Sequence, residues 1–219
     1  MERIIKVWSK YYYTFLHGLG GTLWLSLAVV IFGTLLGVVV AFIKTNRFRI
    51  VRGVGNIYIE ILRGTPILVQ LYFFWLALPK ILPFELSDTA CILTALTVNA
   101  SAYIAEIIRA GIAAVDKGQW EAARSIGLSE IHVMSRVIMP QAIKNILPAL
   151  GNEFISTVKG TSLASVFFIG ELTTSYKTVS SATFMPLQSL IIIAVIYFVL
   201  NYTLSKLLSV LERRMMVSD

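Results

Sequence analysis

A single cysteine, Cys91, among 219 residues leaves no internal disulfide framework and no cysteine cluster for zinc. Charge is scarce too: Asp, Glu, Lys and Arg make up 14% of the chain, against about 25% in an ordinary soluble domain. No Gly-x-x-x-x-Gly-Lys-Ser/Thr sequence occurs, so the chain has no phosphate-binding loop of its own. The two histidines, His17 and His132, fall in different segments and point to no metal site. His-Glu-x-x-His, Gly-x-Ser-x-Gly and paired-carboxylate arrangements are missing as well, which leaves an intramembrane enzyme poorly supported. The chain reads as a conduit that hydrolyses nothing, holds no metal and takes its energy from a partner or an ion gradient.

What is abundant is apolar. Hydrophobic residues are 57% of the chain and the mean hydropathy is +0.77, more than one soluble core can hide. The expected class is an all-α integral membrane protein forming a single domain over 1–219. The net charge of +7 does not point to nucleic acid, because the cations sit between apolar runs. Met1 to Tyr13 mixes Arg3, Lys6 and Lys10 with Trp8 and three tyrosines, unlike a cleavable signal.

A span needs about 20 apolar residues, and five are expected, near 19–43, 54–79, 88–108, 146–169 and 186–208. The second is interrupted by Glu60 and Arg63, which favours a structural role for Arg63 as a partner of Glu60. Pro148 is expected in the first turn of the fourth span. Lys and Arg cluster at 44–52, 109–145 and the C-terminal end, so these segments are placed in the cytoplasm and the N-terminus outside. Residues 1–17 are then expected to form an amphipathic helix lying in the interface.

The 109–145 stretch is too patterned for a passive linker. Trp120–Ile126 reads as a short helix ended by Gly127. Ser129 is a plausible N-cap for a second helix that stops before Pro140. Together they predict a compact knob projecting from the membrane.

Two charges lie at depth in the fourth span, Glu153 and Lys159, and such residues mark function by default. Asn152, Ser156 and Lys159 share one helical stripe, with Glu153 and Thr157 on the next. Glu153 and Lys159 are about 9 Å apart in axial rise, comparable with an extended cationic amino acid. Lys159 is expected to meet its carboxylate and Glu153 its distal cation. Gly160-Thr161-Ser162 predicts a weakened helix whose backbone donors and Ser162 add to the site. Asn99 in the third span and Gln70 in the second complete the candidate substrate-binding set. Glu106 and Arg109 are expected to form an i,i+3 ion pair.

Glu121-Ala122-Ala123, Gly127 and Val137-Ile138-Met139-Pro140 resemble the EAA motif of ABC-transporter permease subunits. Arg63-Gly64-Thr65-Pro66, Lys117-Gly118-Gln119, Pro140-Gln141-Ala142 and Lys159-Gly160-Thr161-Ser162-Leu163 are similar to the polar amino-acid branch of that family, the histidine, arginine and glutamine type, which usually has Asp where this chain has Gly160. The resemblance runs from about Gly18 onward. It implies an ABC type I importer permease fold with a cytoplasmic coupling helix, in a bacterial inner membrane. Implied partners are separate ATP-binding-cassette ATPase subunits carrying ATP and Mg, a second permease subunit, an extracytoplasmic substrate-binding protein, an amino acid and membrane lipid. Glu121, Ala122, Ala123 and Gly127 are the implied ATPase-coupling residues. With Glu153 at depth, the expected cargo is a basic amino acid such as arginine, lysine or histidine. Glutamine, another polar amino acid, or a gradient-driven secondary transporter remain the alternatives.

Overall fold

The computed structural model describes residues 1–216, and every regular element among them is helical. In chain order the helices are α1 (Glu2–Lys44), α2 (Arg49–Gly64), α3 (Ile67–Ile81), α4 (Asp88–Ala113), α5 (Lys117–Ser125), α6 (Glu130–His132), α7 (Met139–Gly160), α8 (Leu172–Thr183) and α9 (Pro186–Met216). A π-helical turn, Val133–Ile138, joins α6 to α7, and a 3-10 segment, Thr161–Phe167, follows α7.

Among the described residues, α1, α4 and α9 are each long and apolar enough to cross a bilayer. The run expected over 54–79 is a bent pair instead, with α2 and α3 meeting at 109°. Pro66 explains the break: its ring removes an N–H and disfavours helix in the residue before it. The fourth expected span is α7, which begins at Met139 rather than near Ile146, so Pro148 sits inside the helix and not in its first turn. Lys144, Asn145, Asn152, Glu153 and Lys159 make α7 too polar to pass as a span by composition. It packs nonetheless against α1, α4 and α9 in the centre of the bundle.

Lipid tails are as apolar as leucine, so helix packing here rests on close van der Waals contact. The buried face of α4 supplies it with small side chains, Ala95, Ala100, Ala102 and Ala105, against which α1 lies along much of its length. Leu25 and Val29 of α1, Leu71 of α3, Ile92 and Ile104 of α4 and Phe167 fill the centre.

The N-terminal segment differs from the separate interfacial helix expected over 1–17, for α1 runs unbroken from Glu2 to Lys44. Val7 and Phe15 are buried against Leu172 and Val179 of α8 and Ile192 and Ile193 of α9. Two of the three glycines at the expected boundary, Gly18 and Gly21, serve close approach. A Cβ on Gly18 would collide with Ser175 Oγ, and one on Gly21 with the Gly170 carbonyl.

Candidate functional site

Four elements wall a cavity of about 420 Å³ within the bundle, a size typical of small-molecule sites. Val29 comes from α1, and Thr65, Pro66 and Ile67 from the α2–α3 bend. Leu96, Asn99, Ala100 and Tyr103 come from α4, and Glu153, Ser156, Thr157 and Gly160 from α7. The α7 set falls at i, i+3, i+4 and i+7, one helical stripe, and of the residues that make α7 too polar for a simple span Glu153 is the one turned to the cavity. Glu153 makes no hydrogen bond or ion pair among the described residues, and the cavity is what its carboxylate faces.

Lys159 stands apart from this stripe. Six residues on a helix turn it about 120° from Glu153, and it is exposed and unpaired among the described residues rather than lining the cavity. Asn152 is exposed too and donates to the Pro148 carbonyl at 3.2 Å. The helix does loosen after Gly160, from α to 3-10. Ser162 Oγ donates back to the Lys159 carbonyl at 2.7 Å and Thr161 Oγ1 to Val158 at 2.8 Å, so these hydroxyls satisfy the end of α7 itself.

Gln70 lies behind the cavity wall, not on it. Because Pro66 has no N–H, the Leu62 carbonyl four residues earlier loses its helical donor. Gln70 Nε2 donates to it at 2.8 Å and Asn99 Nδ2 at 3.3 Å, while Asn99 Nδ2 also donates to Gln70 Oε1 at 2.9 Å. Two side chains thus replace the backbone bond that proline removed.

An ionic cluster sits next to the cavity at the far end of α4 from Ser87. Lys44 Nζ donates to Glu106 Oε1, Arg109 Nε donates to Glu106 Oε2 at 3.0 Å, and Arg63 Nη1 lies 4.0 Å from Glu106 Oε2. The Glu106–Arg109 pair forms as its spacing predicts. Arg63 does not turn to Glu60: its guanidinium lies over the Tyr103 ring, 5.4 Å from the centroid, and Tyr103 is a cavity wall.

The knob is formed by α5, α6 and the π turn. Asp116 caps α5, accepting from Gly118 N at 2.7 Å, and Gly127 turns the corner at φ +81, a left-handed conformation that glycine adopts without steric cost. Arg124 clamps the corner with an ion pair to Glu130 at 2.9 Å, a partner that raises its pKa above the ordinary arginine value. Glu121 and Ala122 are exposed, with Ile126 and Ile131 bare beside them at 77% and 78%. Ala123 is buried against Val115, Val133 and Ile138, so its small size serves the knob's own packing. Ser129 occupies the N-cap position, but its hydroxyl pairs with His132 Nδ1 at 2.8 Å and caps no backbone group. The helix does not stop before Pro140. The wide π turn, with Met139 N bonding to Met134 O, brings the chain into α7 with Pro140 in its first turn, where a missing N–H is harmless.

An all-α membrane bundle with a partly polar cavity among its helices and a helical knob on one end defines a transport protein. Residues 33–217 match the family of binding-protein-dependent transport system inner membrane components, and the chain belongs to that family. It is 36% identical over 204 residues to the arginine transport system permease protein ArtQ of Bacillus subtilis (strain 168), covering 93% of each chain. It is also 36% identical to the glutamine transport system permease protein GlnP of Escherichia coli (strain K12), covering 92% of this chain and 93% of that one. A solved amino acid ABC transporter with histidines shares 46% identity with a TM-score of 0.90, covering 94% of this chain and 96% of its own. The inward-facing MetNI methionine ABC transporter shares the fold at 17% identity, TM-score 0.69, over 91% and 96% of the two chains. The resemblance carried by the Glu121-Ala122-Ala123 loop is therefore borne out, and with it the type I importer permease fold.

Proposed function

We propose that this chain is the transmembrane subunit of an ATP-driven importer of polar amino acids, and that its cargo is basic: arginine, lysine or histidine. The observation that carries the choice is Glu153, a carboxylate without a protein partner on the wall of an otherwise largely uncharged cavity. A desolvated carboxylate gains most from a cationic group and nothing from an acidic one. The arginine permease among its relatives and the solved transporter with histidines support the same choice. Glutamine is the second reading, favoured by the neutral amide and hydroxyls of Asn99, Ser156 and Thr157 in the same wall and by the glutamine permease among the relatives.

In this reading the chain pairs with a second permease subunit and receives its amino acid from an extracytoplasmic binding protein. The N-terminus lies outside and the knob in the cytoplasm. The knob, through exposed Glu121, Ala122, Ile126 and Ile131, seats in separate ATPase subunits that bind ATP and Mg. Their closure moves α7 through the knob and alternates access to the cavity; this chain itself catalyses no reaction.

Reconstitution with the ATPase in liposomes tests the proposal. Arginine uptake should require ATP on the knob side, and Glu153→Gln should cut arginine-stimulated ATP hydrolysis about tenfold or more, the cost of one hydrogen bond to a charged group. Unchanged stimulation would remove the basic-substrate reading, and uptake driven by an ion gradient without ATPase would remove the importer reading.

A further inference from the structure

Asn99 carries one donor group and one acceptor group into the centre of the molecule, and their directions are not interchangeable. The Leu62 carbonyl can only accept, and the residue that would serve it in an unbroken helix, Pro66, has no N–H. Asn99 therefore turns its Nδ2 to Leu62 O at 3.3 Å and to Gln70 Oε1 at 2.9 Å. The reverse orientation would set Oδ1 against a carbonyl. Gln70 is held in turn by donating to Leu62 O at 2.8 Å and to Thr65 Oγ1 at 2.8 Å. What remains of Asn99 for the cavity is its oxygen, Oδ1, which has no hydrogen-bond partner among the described residues although the residue lines the cavity.

We infer that Gln70 is a positioning residue for substrate selection: by locking the Asn99 amide with its oxygen toward the cavity, it makes Asn99 a fixed acceptor that works beside Glu153 on donor-rich head groups. Two acceptors on facing helices, one charged and one neutral, suit a group that only donates, such as a guanidinium, an ammonium or a protonated imidazole. A carboxamide fits worse, because it turns either one donor face or a clashing oxygen to the pair. The inference rests on the basic amino-acid reading above and deepens it. It assigns the discrimination against glutamine to a residue outside the cavity, acting through the proline break.

The test is a double-mutant cycle in the reconstituted complex, reading the KM for arginine and for glutamine in stimulated ATP hydrolysis. Gln70→Met keeps bulk but removes the shorter of the two contacts that orient the Asn99 amide, leaving the longer one to Leu62 O to hold it alone. The arginine-over-glutamine preference should fall about tenfold, the worth of one hydrogen bond to a charged group, with the loss in the arginine KM rather than in kcat. Asn99→Ala should lower the preference by a similar factor. The double variant should be no worse than Asn99→Ala alone, since Gln70 acts through Asn99. Multiplying effects, or an unchanged preference in an assembled Gln70→Met complex, would overturn the inference. Should Gln70→Met fail to assemble with the ATPase, an unchanged preference in Asn99→Ala overturns it alone. A wild-type complex that responds to neither amino acid would instead sink the functional reading on which the inference stands.

Discussion

Glu106 shows how much one residue can organise when charge is scarce. Its carboxylate gathers Lys44 from the end of α1, Arg63 from α2 and Arg109 from its own helix. Only the last was legible in the sequence, because i,i+3 spacing is a local rule. The partnership with Lys44 spans 62 positions and exists only once α1 lies along α4. Glu106→Gln would leave those cations facing one another around a partly buried site. We expect it to lower stability by about 1–3 kcal/mol, seen as an earlier thermal transition of the detergent-solubilised protein. Gly18 is a second case. What its lack of a side chain permits is contact with Ser175 of α8. Gly18→Val should loosen α8 from α1 at a cost of about 1–3 kcal/mol, as overpacking does, and expose the α1–α8 boundary to protease. A wild-type digestion pattern would contradict that role.

At the scale of elements, apolar run lengths located the helices but not their breaks or their true ends. Thr65-Pro66 stood in plain view inside the 54–79 run, yet a hydropathy average passes smoothly over it. The 109° bend is set by what receives the broken end, namely Gln70 and the distant Asn99. The candidate site was legible to the same degree. Glu153 and Thr157, one stripe of α7 by periodicity, line a cavity together with Ser156 from the adjoining stripe and Asn99 of α4, whereas Asn152, Lys159 and Ser162 satisfy or flank α7 and Gln70 supports the wall from behind. Which of two adjoining stripes faces inward is a tertiary fact. In the knob, Gly127 at φ +81 is the corner on which α5 and α6 depend. A β-branched residue there costs about 1–2 kcal/mol in the left-handed region and misdirects the Arg124–Glu130 clamp. Gly127→Val should insert in the membrane normally but lose substrate-stimulated ATP hydrolysis. Normal transport by that variant would show that the knob does not couple.

For the whole molecule, the lone cysteine is an internal gauge. Cys91 is fully buried among the helices that surround the cavity. A membrane-permeant maleimide should leave it unmodified in folded protein and label it after denaturation. Labelling of the native protein would mean that the bundle opens far more than its packing implies. The same reading tells, for every variant above, a lost function from a lost fold.

The π turn at Val133–Ile138 carries a consequence of a different kind. A π turn amounts to one residue more than an α-helical path needs, and each residue of an α-helix is worth about 100° of rotation. It therefore acts as a gear setting between the knob and α7. Removing one residue from the turn would leave the knob, the helix and the cavity lining chemically intact. It would also turn Glu153 by about a quarter of a revolution, out of the cavity and toward a neighbouring helix.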